Sequence, residues 1–148
     1  MIWFREYRVE ELPALMTTEN MLSHIGLEFT EIGPDFVKAR IPVDRRTHQI
    51  YGILHGGATA MLAETVGSFA SLMAIDLDRC TAVGSVITAN HIRPVSEGYA
   101  TATCRPVHLG KSKHVWDILV HADNGKLVAK CELTCAIMPK ERRGDASA

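Results

Sequence analysis

Tyr51-Gly-Ile-Leu-His-Gly-Gly-Ala-Thr-Ala-Met-Leu-Ala-Glu-Thr-Val-Gly-Ser-Phe-Ala-Ser-Leu-Met-Ala-Ile75 is the stretch whose reading decides this chain. It carries a single carboxylate, Glu64, within a run from Thr47 to Asp78 that contains no lysine or arginine. From Gly57 to Ile75 the pattern predicts a long buried helix, with Leu62, Val66, Phe69 and Met73 supplying bulk. At helical spacing Gly57, Ala60, Glu64, Gly67, Ser68 and Ser71 fall on one face, so the acid stands in a stripe of small side chains. A carboxylate that leaves water without a basic partner is costly, so its retention there points to chemistry. A plainer reading stays open, in which the small residues only permit close packing and Glu64 pairs with a distant arginine.

Upstream, His55-Gly56-Gly57 supplies flexible backbone where the helix begins. Its exposed amide donors and the positive end of the helix dipole favour a developing negative charge. Gly56 and Glu64 are eight positions apart, roughly 12 Å along a helix, too far for both to reach one reacting carbonyl within a subunit. If both act on one substrate they come from different subunits. The spacing therefore predicts a homodimer with antiparallel helices, each helix start facing the partner's glutamate.

The chain has 148 residues, 47% hydrophobic content and a formal net charge of −1. Those values suit one domain with a full-sized core, which we bound at 1–139, followed by a flexible polar tail over 140–148. No basic field marks a duplex-binding surface, so nucleic acid is not expected as a partner. The N-terminus lacks an apolar signal core, and the one long apolar run is interrupted by His55, Glu64 and glycines. The expectation is a cytoplasmic protein with no membrane partner. Cys80, Cys104, Cys131 and Cys135 form no CxxC pair, and the seven histidines show no ligand spacing, so no metal is expected.

Around the helix the pattern changes to period two. A short amphipathic start spans Val9 to Met16, and strands are expected at Leu27 to Ile32 and, after a Gly33-Pro34-Asp35 turn, at Phe36 to Val43. A loop from Asp44 to Ile53 leads into the helix. Four strands should follow, Ala82 to Ile92, Tyr99 to Leu109, His114 to His121 and Lys126 to Met138, divided by Pro94 with Glu97-Gly98, Gly110-Lys111-Ser112 and Asp123-Asn124-Gly125. These read as consecutive antiparallel hairpins. In the last strand Leu127, Ala129, Cys131, Leu133, Cys135 and Ile137 alternate against Lys130, Glu132 and Thr134, which makes both late cysteines core residues. The fold class is α+β, a curved antiparallel sheet around one long helix, with Ala100, Ala102 and Cys104 as a small-residue face.

The order Gln49, His55-Gly56-Gly57, Glu64, Ser68, Asn90-His91-Ile92-Arg93 and His108-Leu109-Gly110 resembles the hotdog-fold acyl-CoA thioesterases of the 4-hydroxybenzoyl-CoA and phenylacetic acid type. It is most similar to the branch with the 1,4-dihydroxy-2-naphthoyl-CoA and enterobactin proofreading thioesterases. The resemblance runs from Met1 to about Met138 and departs at the polar tail and at Phe69, where relatives carry a smaller residue. It implies that Glu64 is the catalytic nucleophile or general base and that the Gly56 N–H holds the oxyanion, a donor worth about 3 to 4 kcal/mol in other enzymes. His55 and Gln49 would orient the thioester, Ser68 would position the carboxylate or water, and Phe69 would line the acyl pocket. Coenzyme A, part of the substrate and not a cofactor, would lie on Gly84, His91, Arg93 and the turn His108, Gly110, Lys111, Ser112 and Lys113.

Plainer roles stay open for several of these: a solvated turn for Lys111 and Lys113, a capped strand end for His91 and Arg93, and loop residues for His55 and Gln49. The resemblance also implies a tetramer built as a dimer of dimers. Three functions follow: an acyl-CoA thioesterase for aromatic or compact acyl groups, a proofreading hydrolase of acyl carrier protein, and a non-catalytic acyl-CoA binder. A hotdog dehydratase fits less well, because Glu64 lacks a companion histidine for that reaction.

Overall fold

The computed structural model describes residues 1–13 and 19–140. The end of the expected N-terminal amphipathic segment, and the tail after Lys140, lie outside the described residues. A 3-10 turn at Val9–Glu11 precedes a five-residue helix α1 (Met21–Ile25) and strands β1 (Glu28–Ile32) and β2 (Val37–Pro42). The long helix α2 (Gly56–Met73) is followed by β3 (Cys80–His91), β4 (Tyr99–Leu109), β5 (Lys113–Ala122) and β6 (Leu127–Pro139). The strands form one antiparallel six-stranded sheet in the order β1-β2-β4-β5-β6-β3. This curved sheet wraps around α2, the α+β hotdog arrangement expected from the sequence.

Period-two patterning worked where one face of a strand meets the core. Val37, Ala39, Ile41 and Val43 are buried, as are Ala100, Ala102 and Cys104 and the set Ala129, Cys131, Leu133, Cys135 and Ile137. Burial pushes the Cys131 thiol up to about 11 and raises Cys104 and Cys135 as well, so these thiols stay protonated packing groups. On the opposite side of the core, Leu62, Ala63, Val66, Ala70 and Met73 of α2 are buried against the sheet, and Trp3 stacks on Trp116 with ring centroids 6.3 Å apart.

Two expectations need correction. The four late strands are not consecutive hairpins: β4, β5 and β6 form a meander, but β3 pairs with β6 at the sheet edge, from Cys80↔Pro139 to His91↔Ala129. The link from β3 to β4 starts alongside β6, where the Ile92 and Arg93 amides both donate to Val128 O (2.8 and 3.1 Å), and β4 then begins beside β2. Nor is α2 buried all round. Its sheet-facing side is covered, but Gly57 and Glu64 are exposed, because the concave sheet reaches only one side of the rod. The supposed small-residue stripe is divided by this boundary, since Gly67 and Ser71 lie in the core. Gly67 is small for a packing reason: a Cβ there would lie 2.6 Å from Leu133 Cδ2.

Helix α1 was not expected. The Asn20 side chain accepts from Leu22 N and Ser23 N, the Ser23 hydroxyl returns to the Asn20 backbone, and Gly26 closes the helix at φ 79°. That is a complete capping box and left-handed cap on five residues.

Candidate active site

The start of α2 is built from a loop that ends on His55, whose extended backbone (φ −69°, ψ 132°) turns the chain into the helix. His55 Nδ1 accepts the Gly57 N–H at 2.7 Å, so this histidine is the N-cap as well as a candidate site residue. Leu54 N bonds to Val95 O (2.7 Å) and His55 N to Thr47 O (2.8 Å), which fixes the helix start against the β3–β4 link. Among the described residues the Gly56 N–H has no acceptor. His91, expected at the coenzyme A surface, instead reaches this point: a Cβ on Gly56 would lie 2.9 Å from His91 Nε2. Gln49 sits in the same loop, its backbone bonded to Ile53 O and to Gly52 N, its side-chain oxygen accepting the Tyr51 amide.

Glu64 lies two turns further along α2, on the uncovered side. Among the described residues no lysine or arginine forms an ion pair with it, so pairing to a distant arginine of the same chain is not how it is accommodated. Its carboxylate rests against β3, where a Cβ on Gly84 would stand 2.8 Å from Glu64 Oε1. The structure thus places Gly84 beside the acid. An open cavity of about 500 Å³ extends from this point, lined by Gly57, Ala60, Met61, Glu64, Thr65, Ser68 and Phe69 of α2, with Met21 and Leu22 of α1 as the opposing wall. Phe69 closes its inner end by packing on Phe29, ring centroids 4.7 Å apart at 45°.

Further along α2, Ser71 belongs to a buried polar cluster. Trp116 Nε1 donates to Ser71 Oγ at 2.7 Å, and His114 Nδ1 lies 3.2 Å from the same hydroxyl. Burial, and then the neighbouring His108, pushes the His114 imidazole below its ordinary range. The hydroxyls of Ser71 and Ser68 both approach the Cys135 thiol, which links the core cluster to the cavity wall at Ser68.

The remaining residues expected at the coenzyme A surface are divided between the two ends of the sheet. His91 pairs with Ala129, whereas Lys113 and Val83 flank Ala136, seven residues further along β6. That separation is roughly 24 Å of strand. At the Ala129 end, Arg93 donates to Leu127 O (3.0 Å) and lines a second open cavity of about 550 Å³ with Glu97, Asp123 and Lys126. At the other end the turn is tied down by Gly110 N to Lys113 O (2.9 Å) and by Ile137 N to Ser112 O (3.0 Å), with the His108 ring against Gly110. One chain thus joins Glu64, Ser68, Phe69 and Gly84 in one place and His55, Gly56 and His91 in another, with Gln49 held in the loop before the helix. The contribution of Met21 and Leu22 was missed, although Asn20, Ser23 and Gly26 were its local signal. Among the described residues no cluster of three or more His, Cys, Asp or Glu could hold a metal ion, and no helix is long and apolar enough to cross a membrane.

A sequence profile described as the thioesterase superfamily matches residues 51–129. Proofreading thioesterase EntH of Cronobacter turicensis is 41% identical over 93% of this chain and 99% of its own length, and EntH of Cronobacter sakazakii matches equally well. Among solved structures, a mutant thioesterase from Pseudomonas aeruginosa superposes with a TM-score of 0.92 at 37% identity, covering 95% of this chain and all of that one. A thioesterase from Haemophilus influenzae gives 0.91 at 38% identity, covering 97% and 99%.

Proposed function

The chain belongs to the thioesterase superfamily of the hotdog fold and is a thioester hydrolase, and we propose that it cleaves aromatic or otherwise compact acyl thioesters with Glu64 as the reacting carboxylate. The observation that carries this reading is an unpaired Glu64 at the edge of a mainly apolar cavity, with Gly84 leaving room for its carboxylate against β3. Either Glu64 takes a proton from water as the oxygen attacks the carbonyl carbon, or its own oxygen attacks and water then cleaves the anhydride. In both routes the electron pair of the broken carbon–sulfur bond leaves with the thiolate, which is then protonated. The free Gly56 amide at the helix start supplies a donor for the oxygen on which charge develops. His91 stands beside Gly56 and His55 caps Gly57; with Gln49 of the preceding loop they would orient the thioester.

Gly56 and Glu64 cannot meet within one helix, so the reaction calls for two copies. The outer edge of β3 is unpaired among the described residues and exposes Val83 and Val86, which suits strand pairing with a second copy. Antiparallel pairing about the middle of β3 sets the two α2 helices antiparallel. It also brings the 108–113 turn of one copy to the end of the joint sheet that carries His91 and Arg93 of the other. The coenzyme A phosphates would then meet Lys111, Ser112, Lys113 and Arg93 together. Two such dimers would make the tetramer.

A carrier-protein thioester is the second reading, favoured by relatives that are named proofreading thioesterases. Rates on one acyl group presented as the coenzyme A ester and on a holo-carrier protein separate the two. The test of the shared chemistry is Glu64→Gln: turnover should fall by at least about a thousandfold with unchanged thermal unfolding, and a near-wild-type rate refutes the assignment. Tight binding of the ester without hydrolysis by the wild-type chain would instead support a non-catalytic binder.

A further inference from the structure

Glu64, Ser68 and Ser71 share one face of α2, and the sheet packed on that face carries a matching row. Gly84 of β3 pairs with Cys135 of β6, and Cys135 pairs with His114 of β5, so the three stand abreast on neighbouring strands. Residues abreast in this way point to one side of a sheet. The two ends of the row meet the two ends of the helix face: Gly84 lies against the Glu64 carboxylate, and His114 Nδ1 lies 3.2 Å from Ser71 Oγ. The spans agree, since the helix rises about 10.5 Å from Glu64 to Ser71 and two strand spacings cover about 9.6 Å. Helix α2 therefore crosses the row from β3 to β5, which sets Cys135 under Ser68, and the Ser68 and Ser71 hydroxyls both approach its thiol.

Cys135 is fully buried, whereas Ser68 lines the cavity beside Glu64. Burial above all, with the Glu64 charge adding to it, holds this thiol above its ordinary range, so it is an S–H with one proton to give. The Ser71 oxygen already takes the Trp116 N–H at 2.7 Å and meets His114, which leaves the Ser68 oxygen to receive that proton. We propose that Cys135 is a positioning residue for the reaction: its thiol holds the Ser68 oxygen from the core side and turns the Ser68 O–H into the cavity, toward the Glu64 carboxylate. Without such a donor a serine inside a helix turns its hydroxyl back onto the carbonyl four residues earlier, here that of Glu64 itself, where it does nothing for the acid's side chain. The inference rests on Glu64 being the reacting carboxylate. It makes the β6 strand part of the site through a side chain that never touches substrate.

The experiment uses the full chain, with benzoyl coenzyme A as probe, and compares Cys135→Ser with Cys135→Ala. Serine and alanine leave nearly the same space, so a packing defect lowers both and only the hydroxyl donor separates them. Cys135→Ser should turn over about three- to tenfold faster than Cys135→Ala at equal KM, the effect of one neutral hydrogen bond. In a Ser68→Ala background that ratio should fall to one, because the donor then has no hydroxyl to hold. Equal kcat for the two single variants overturns the proposal. So does a ratio that persists in the Ser68→Ala background, or one that appears in KM and not in kcat. Failure of the underlying reading looks different: Glu64→Gln would turn over at the wild-type rate, whereas the role of Cys135 can fail while Glu64→Gln is inactive.

Discussion

Gly84→Ala should separate catalysis from folding. Gly84 pairs with Cys135 in β3 without a positive φ, so alanine meets no backbone obstacle, and replacing a strand glycine gains about 0.5–1 kcal/mol. The three atoms nearest the new Cβ would all belong to Glu64, Oε1 at 2.8 Å and Cδ and Cγ at 3.5 Å. Ordinary contact begins near 3.4 Å, so the carboxylate tip must retreat by about 0.6 Å. The tip is the free end of an exposed side chain, so this retreat costs the fold little. A displacement of 1 Å at a reacting group costs about a hundredfold in rate, so a retreat of this size costs roughly ten- to thirtyfold in kcat.

The assay is continuous detection of free thiol from an aromatic acyl-CoA, beside thermal unfolding by circular dichroism. Expected is a kcat lowered by roughly ten- to thirtyfold with a melting temperature equal to or above wild type. In a Glu64→Gln background the same substitution should have almost no further effect, because the two sites act through one contact. Wild-type kcat in the single variant would refute the idea that the β3 wall sets the carboxylate position. A melting temperature lower by several degrees would refute the claim that the carboxylate absorbs the new methyl group without cost to the fold.

Other parts of the structure give independent tests. Ser71→Ala removes the acceptor of the buried Trp116 N–H and should destabilise the chain by about 1–3 kcal/mol in urea titration, with unchanged stability refuting that role. His114 titrates below 6.5 when folded, so the unfolded chain binds the proton more readily: its contribution is full above 6.5 and is lost as pH falls through 6.5 toward the folded value. Melting temperatures measured from pH 7.5 to 5 should therefore decline more steeply for wild type than for His114→Asn. In native protein an aromatic disulfide reagent should modify Cys80 and leave Cys104, Cys131 and Cys135 untouched until urea is added, since burial keeps those thiols protonated and covered.

The sequence was most legible where a residue's surroundings come from its own strand or helix. Alternation in β2, β4 and β6 reports burial of one strand face against α2, and the structure buries those faces. The partner of β3 was not legible, because Pro94, Glu97 and Gly98 make a good turn whichever strand follows. The pairing is a ladder from Cys80↔Pro139 to His91↔Ala129, extended by the Ile92 and Arg93 amides on Val128 O, some 35 residues away in sequence. Helix α1 is too short for any periodicity to register; only its caps announced it. Within the site, Glu64 and Ser68 share a face at one-turn spacing and were readable, whereas Gly84 met the carboxylate through sheet closure and His91 met Gly56 through the same pairing. Neither proximity leaves a trace in local composition.

The misreading of α2 as buried on every side has a physical basis that bears on function. Leu62, Val66, Ala70 and Met73 answer to this chain's own sheet, yet the opposite face is also almost free of charge, and hydrophobicity alone does not reveal which molecule covers a surface. On the proposed arrangement that second face, together with Val83 and Val86, is covered by another copy. Water then leaves Glu64 only on association, and the interactions of the carboxylate and the Gly56 amide with a developing oxyanion strengthen as the local dielectric falls. A chain that kept its acid buried alone would bear that desolvation cost in every folded monomer. On the proposed arrangement, placing the acid at the boundary would defer the cost to the assembly that also completes the oxyanion site, so the contact that joins two copies would switch the chemistry on.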